Sequence, residues 1–535
     1  MRLNTQELKN RAEWDKAGIE LPRFDVEAMR AATKQAPAWV HFGAGNIFRV
    51  YVAALHQSLL DAGTEKTGIV IVAGRDGEII DKVFRPCDNL TLAVTLKADG
   101  GIQKKVIASM ACALWMGSRS DFGAVKGLFR ASSLQMASFT ITEKGYSLTG
   151  GGDTITDEVA SDFAAGPDYP SSYMGKIAAL CYERYKSGKL PLALVSMDNC
   201  SHNGDKLFAA VEAFAVEWAK NGRADKGFPD YIRDRGRVSF PWTMIDKITP
   251  SPDASVKQML EKLGFEDTET RVTAKGTHIS PFVNAEEAQY LVIEDAFPAG
   301  RPALEKAGVL FTDRATVDKV EKMKVCTCLN PLHTALAIFG CLLGYTKINQ
   351  EMKDADLVKL VEIIGYKEGL PVVVDPGILS PQKFIDEVLK VRVPNPFMPD
   401  TPQRIAYDSS QKIPIRYGET IKAYLASDTL DVKDLKLIPL ALAAWVRYLL
   451  GIDDKGEAFT VSPDPMYETL AAQLAGVKLG QKGPFSAALK PILSNKKIFA
   501  VDLYEAGLGE RVEGYFEELV AGLGAVRAVL RKYTA

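Results

Sequence analysis

The stretch WVHFGAGNIFRVYVAAL, residues 39–55, constrains the fold of this chain more than any other. It begins as an unbroken apolar strand, turns through two closely spaced glycines and leaves as an apolar helix, placed by its pattern from about Ile47 to Ala62. TGIVIVAGRD then reads as a second strand, β-branched throughout and ending in turn residues. Strand, glycine turn, helix and strand in about 35 residues make a βαβ unit. Further strand candidates, TLAVTLKA, KKVIASM, MASFTITEKGY and PLALVSMDN, are separated by helical segments at 120–131 and 173–187. That alternation predicts a parallel sheet in an α/β, Rossmann-type domain.

After about residue 315 the texture changes to helical patterns at 317–345, 354–364, 381–391, 418–425, 435–451, 465–475 and 511–532. A chain of 535 residues exceeds what one core holds, since single cores stop growing near about 250–300 residues. Two domains are expected: 1–315, binding a dinucleotide, and 316–535, mainly α-helical and holding the substrate.

The net charge of −2 offers no field to gather nucleic acid or anionic lipid. The apolar runs at 335–345 and 437–446 fall short of the roughly 20 residues of a membrane helix. The start of the chain has no apolar core like that of a signal peptide, and seven cysteines form no framework. These features predict a cytoplasmic protein with neither a nucleic-acid nor a membrane partner. Five histidines without metal-like pairing, and a CTC in place of CxxC, predict no metal site.

In the strand-to-helix turn Gly43 permits a sharp bend and Gly45 permits backbone to approach a pyrophosphate. The helix head, with Asn46, offers unpaired N–H groups and a positive dipole end. Phe48 stands where the usual fingerprint has a third glycine, whose work is helix-to-strand packing, so the site is altered and not forbidden. Arg49 is expected to add a charge at the phosphates. Asp76, 31 residues after Gly45, is placed to take the ribose hydroxyls and repel a 2′-phosphate. Its neighbour Arg75 suits that phosphate, so NAD is expected and NADP is not excluded.

Four further segments, SMDNCSHNG (196–204), FPWTMIDKITP (240–250), KVCTCLNPLHTALAIFG (324–340) and NPFMPDTPQRIAYDSSQKIP (395–414), complete a recognisable set. With FGAGNIFR, TITEKGY and FPAGRP, the chain resembles the polyol-specific long-chain dehydrogenases, the mannitol dehydrogenase family, from about residue 38 to at least 415. The resemblance implies metal-independent hydride transfer between NAD(P) and a secondary alcohol. It points first to the sugar-acid members, which interconvert a ketohexuronate and its aldonate, D-fructuronate and D-mannonate. Oxidation of mannitol or another neutral polyol is the alternative, and an inactive nucleotide or sugar sensor is the reading from a different class. Oligomeric state is not legible.

Oxidising a secondary alcohol requires a base for the hydroxyl proton and donors for the developing alkoxide. The resemblance assigns the base to Lys324, with desolvation and neighbouring charge favouring its free amine. It assigns the donors to Asn199 and Asn330, orientation of substrate to His333, and electrostatic tuning to Asp246. Arg404 and Lys412 match its substrate-holding cations, which would grip a sugar acid's carboxylate; Glu321 is a weaker candidate for proton relay.

One spacing departs from the family. Lys324 precedes Asn330 by six residues where relatives have five, and on an unbroken helix this turns the lysine about 100° away, opposite His333. Convergence then requires a π-type bulge, or a lysine lying before the helix begins. Pro331 suits a first helical turn and favours the second; Lys322 is the rival base.

Overall fold

Six strands with apolar residues on both faces form one fully parallel sheet, ordered Met110–Trp115, Ile69–Ala73, Trp39–Phe42, Met136–Phe139, Leu192–Ser196, Val238–Ser239. In chain order this is 3-2-1-4-5-6, the doubly wound dinucleotide-binding topology. The structure is a computed structural model and describes residues 1–150, 152–398 and 400–535. Strand alternation divides the core. Val40, Phe42, Val70 and Val72 pack on one face with Phe122, Ile177 and Phe214 from covering helices. Trp39, Ile69 and Ile71 face the other side with Phe48, Tyr51 and Leu55. His41, fully buried between strands, bonds Ser138 Oγ at 2.7 Å and Thr140 Oγ1 at 2.9 Å. Burial holds its imidazole well below its ordinary range and hence neutral.

Two of the expected strands do not join this sheet. Thr91–Leu96 and Ile102–Ile107 pair antiparallel with each other, and the first pairs parallel with Phe282–Glu286 in a separate four-stranded sheet. Their connection is a short turn with Gly100 at φ 87°, too short for the crossover that a parallel pair needs.

The chain divides into two compact units, Met1–Asp318 and Lys319–Ala535. In the second, the helix Leu437–Tyr448 is buried along its whole length, as expected for a helix apolar all round. It lacks a local cap. Glu368, far away in sequence, supplies one: its carboxylate accepts from the amides of Lys436, Leu437 and Ile438 at 2.7–2.8 Å. The pattern at 511–532 resolves into two helices, Gly509–Leu519 and Ala525–Thr534, because Gly522 and Gly524 take positive φ. The helical run Arg314–Leu343 is long and apolar enough to cross a membrane by composition, yet 78% of its most apolar window is buried inside the protein.

Arg49 is a correction to the sequence reading. It occupies the π-helical segment Phe48–Val52 and is fully buried: Nε donates to Thr91 Oγ1 at 3.0 Å, Nη2 donates to the Pro281 carbonyl, and the guanidinium lies 5.5 Å from the Phe84 ring centre. Burial pushes it down to about 10. This cation braces the Thr91 strand and does not reach the cradle. Phe48 is buried as well and stacks on His41 at 3.9 Å, filling the third glycine's packing role from beneath and not by touching a ligand.

Arg49→Gln, too short for both partners, is therefore expected to lower stability in urea unfolding by about 1–3 kcal/mol while leaving dinucleotide affinity essentially unchanged. A second prediction concerns Glu351, on the short helix Ile348–Glu351. Its carboxyl is buried against Gly340, neither oxygen has a hydrogen-bond partner among the described residues, and burial, helped by the charge of Asp354, pushes it up to about 9. Folding thus takes up a proton between the ordinary carboxylate range and pH 9, so this contribution is complete in acid and is lost as pH rises. Glu351→Gln should raise the thermal midpoint at pH 8.5 by roughly 3 °C or more, with the advantage vanishing near pH 4.5.

Candidate active site

The first unit builds a cleft of about 180 Å³ at the carboxyl ends of the two strands where the sheet order reverses, Trp39–Phe42 and Met136–Phe139. Ligands of open α/β sheets bind at this switch point. Gly43 sits at φ 125°, and a Cβ there would overlap the Thr140 carbonyl oxygen, so both conformation and space demand glycine. Gly45 differs: it is exposed, and nothing lies within 4 Å of where its Cβ would be. Open space at this position is what a pyrophosphate approaching backbone requires. Asn46 opens the helix and is half-buried.

Asp76 lines the same cleft. Its carboxylate is aimed by Thr273 Oγ1 at 2.6 Å and by the Glu78 amide at 3.1 Å. Thr273 belongs to the turn between the short strands Arg271–Val272 and His278–Ile279, and Lys275 from that turn donates to the Arg75 carbonyl. Tyr173 packs its ring on Gly74 at the cleft wall, and its buried hydroxyl has no hydrogen-bond partner among the described residues. An orphaned donor, a cradle with open space and an oriented carboxylate together fit a dinucleotide.

Asn199 stands exposed just beyond the strand Leu192–Ser196. The residue beside it, overlooked in the sequence reading, organises the region. Asp198 accepts from the amides of Ile141 and Thr142 at 2.9 and 2.8 Å and from the Tyr146 hydroxyl at 2.5 Å, tying together the loops after two neighbouring strands. Burial pushes its carboxyl up despite these lowering hydrogen bonds. Asn203, 1% exposed, holds the carbonyls of Ser196, Asp198 and Thr243 and so fixes the loop carrying Asn199. Asp246 ends the strand Thr243–Asp246, is 7% exposed, and its charge helps push the Tyr51 hydroxyl up, after the larger effect of burial. The signal that could have found Asp198 and Asn203 was the density of short polar residues directly after a fully apolar strand.

In the second unit Lys324 is 4% exposed and lies in a π-helical segment, Met323–Cys328. The Leu329 amide donates to the Lys324 carbonyl five residues back, at 3.1 Å. Leu329 then leaves helical geometry, at φ −129° and ψ −62°, and the helix Asn330–Leu343 begins with Pro331 in its first turn. The wheel that set the lysine opposite His333 assumed an unbroken helix, and the helix is broken between them. Both routes to convergence occur together: a π segment, and a lysine lying before the helix. Asn330 and His333 share the first turn, half-exposed, and Thr334 Oγ1 donates to the Asn330 carbonyl at 2.9 Å.

The two expected substrate cations are less alike than their motif suggests. Arg404 is 65% exposed in its side chain and pairs with Asp400 one helical turn away. Lys412, on the helix Ser409–Ile413, donates to the Tyr407 carbonyl, and burial together with the charge of Arg416 holds its ammonium below its ordinary value. Asn395 is buried and its side chain accepts from the Phe397 amide at 3.0 Å, a loop-supporting position. Arg416 was not singled out from sequence. Its Nη1 donates to Thr334 Oγ1 at 2.6 Å.

Comparison with known proteins agrees with this architecture. The mannitol dehydrogenase Rossmann domain matches residues 37–306 and the mannitol dehydrogenase C-terminal domain matches 316–520. The D-mannonate oxidoreductase of Thermotoga maritima is 54% identical over 99% of each chain. The mannitol 2-dehydrogenase of Pyrenophora tritici-repentis is 30% identical over 87% of this chain and 76% of its own. Among solved structures, D-sorbitol dehydrogenase in substrate-free form superposes with a TM-score of 0.80 at 25% identity, covering 96% of this chain and 98% of that one. The Pseudomonas fluorescens mannitol 2-dehydrogenase ternary complex with NAD and D-mannitol gives 0.69 at 24% identity, covering 99% of each. With both domains matched across most of its length, the chain belongs to the mannitol dehydrogenase family.

Proposed function

We propose that this protein is an NAD-dependent oxidoreductase interconverting D-fructuronate and D-mannonate. The observation that carries the substrate is the full-length identity with the Thermotoga maritima D-mannonate oxidoreductase. The first unit would hold the dinucleotide, its pyrophosphate over the turn Gly43–Asn46 and its adenosine ribose at Asp76, whose fixed carboxylate favours NAD over NADP. When bound, the nicotinamide supplies the carbon that accepts or returns the hydride.

The chain's own residues supply the rest. Lys324 takes the hydroxyl proton during oxidation and returns it during reduction; its 4% exposure is the setting in which a lysine works as a base. Asn330 donates to the oxygen as charge builds, and an amide does so without titrating. Its backbone carbonyl accepts from Thr334 Oγ1, which fixes the start of the helix that carries it. His333, in the same helical turn, orients the substrate hydroxyl. Asn199 and Asp246 keep the donor and tuning roles that the family resemblance implies, and Lys412 the role of a substrate cation. This chemistry needs no metal.

Assay of D-fructuronate and D-fructose reduction with NADH and with NADPH tests the reading; fructose turned over as well as or better than fructuronate ends it. Lys324→Ala is expected to lower kcat/KM by about 10²–10⁴-fold with unchanged NADH affinity, and normal oxidation by this variant at high pH would reject Lys324 as the base. Turnover should also survive exhaustive treatment with EDTA, whereas a loss reversed by added zinc would contradict the metal-free mechanism.

A further inference from the structure

Arg416 is a cation of the second unit with which no carboxylate pairs among the described residues. It lies on the π-helical segment Pro414–Gly418, directly after the helix that carries Lys412. Through Thr334 its guanidinium stands one hydroxyl away from the Asn330 carbonyl, over hydrogen bonds of 2.6 and 2.9 Å. That is its single hydrogen bond among the described residues, and no described carboxylate pairs with it. Nε and Nη2 remain uncommitted without being sealed off from open space. Burial pushes the guanidinium down to about 10, and its charge in turn helps hold the Lys412 ammonium down.

Other arginines spend their donors within the fold, apart from Arg49, whose sealed Nη1 has no partner among the described residues. Arg184 makes five hydrogen bonds to carbonyl oxygens, and Arg447 makes three. Arg527 is paired with Asp354 and Asp356. Lys412 is partly compensated by the charges of Asp408 and Asp464, whereas no described carboxylate pairs with Arg416, and a cation held largely out of water without an anion carries a cost that a bound anion removes. A guanidinium with two adjacent donors uncommitted matches a carboxylate, whose two oxygens take parallel hydrogen bonds. A neutral polyol offers hydroxyls and leaves the Arg416 charge uncompensated.

We propose that Arg416, with Lys412 beside it, binds the carboxylate of the hexuronate or hexonate substrate and sets the preference for acidic over neutral sugars. Arg404, exposed and already paired, is not the principal carboxylate ligand. The proposal rests on the sugar-acid reading above and assigns the residue that enforces it.

Steady-state reduction of D-fructuronate by the full-length protein, with NADH binding followed by fluorescence, tests it. Arg416→Gln should raise the KM for D-fructuronate by roughly 100-fold, with a far smaller change in kcat and unchanged NADH affinity. Arg416→Lys, which keeps the charge but not the fork, should fall between variant and wild type, and it carries the test should the glutamine variant not fold. An unchanged KM, or a fall in kcat at unchanged KM, overturns the proposal and assigns Arg416 a purely structural part. Wild-type protein that turns over fructose but no hexuronate overturns the sugar-acid reading itself, and the proposal with it.

Discussion

The close approach of two backbones at the head of the parallel sheet governs the first unit. Gly43 lies against the Thr140 carbonyl oxygen with no room for a β-carbon, and its amide donates to the Val72 carbonyl at 3.0 Å, so the turn locks onto both flanking strands. The helix start is therefore aimed at the crevice by the sheet and not by loop conformation. Phe48 is buried under the turn and Arg49 is buried against the Thr91 strand, while Gly45 is exposed and Asn46 half-buried. Four positions of one motif, two on each side of Ile47, thus divide between buried scaffold and open turn.

The second unit is marked by a change of helical frame between Lys324 and the helix that begins at Asn330. The π segment Met323–Cys328 and the departure of Leu329 from helical geometry separate the frame of Lys324 from that of Asn330 and His333. π geometry recurs at 363–369, 388–392 and 414–418, so this unit adjusts helix phase repeatedly, and the last of these carries Arg416, which bonds Thr334 on the helix starting at Asn330. π-type insertions are frequent at functional sites because they turn one side chain without moving the helices on either side.

Burial alone does not identify a functional cation here. Arg49, Arg184 and Arg447 are all fully buried, yet apart from the sealed Arg49 Nη1 their nitrogens are spent on carbonyl and hydroxyl oxygens that would otherwise be orphaned. Arg416 is set apart by its unspent donors and by its link to Asn330. Glu368 and Glu351 show the same distinction among acids: one carboxylate is consumed in capping the Leu437 helix, the other has no hydrogen-bond partner among the described residues.

The doubly wound sheet, the glycine turn and the change to a helical second half were legible in the sequence, because β-branched runs, turn glycines and helical periodicity act over a few neighbouring residues. Pro331 likewise announced a helix beginning at Asn330. Only the tertiary structure decided that Arg49 faces inward, that Thr91–Leu96 leaves the parallel sheet, that Glu368 caps a helix some 70 residues away, and that Arg416 is the cation beside Asn330. Each of these depends on which distant group satisfies a charge or a hydrogen bond. Local pattern says that a side chain must find a partner, whereas the packing of the whole chain selects which one it finds.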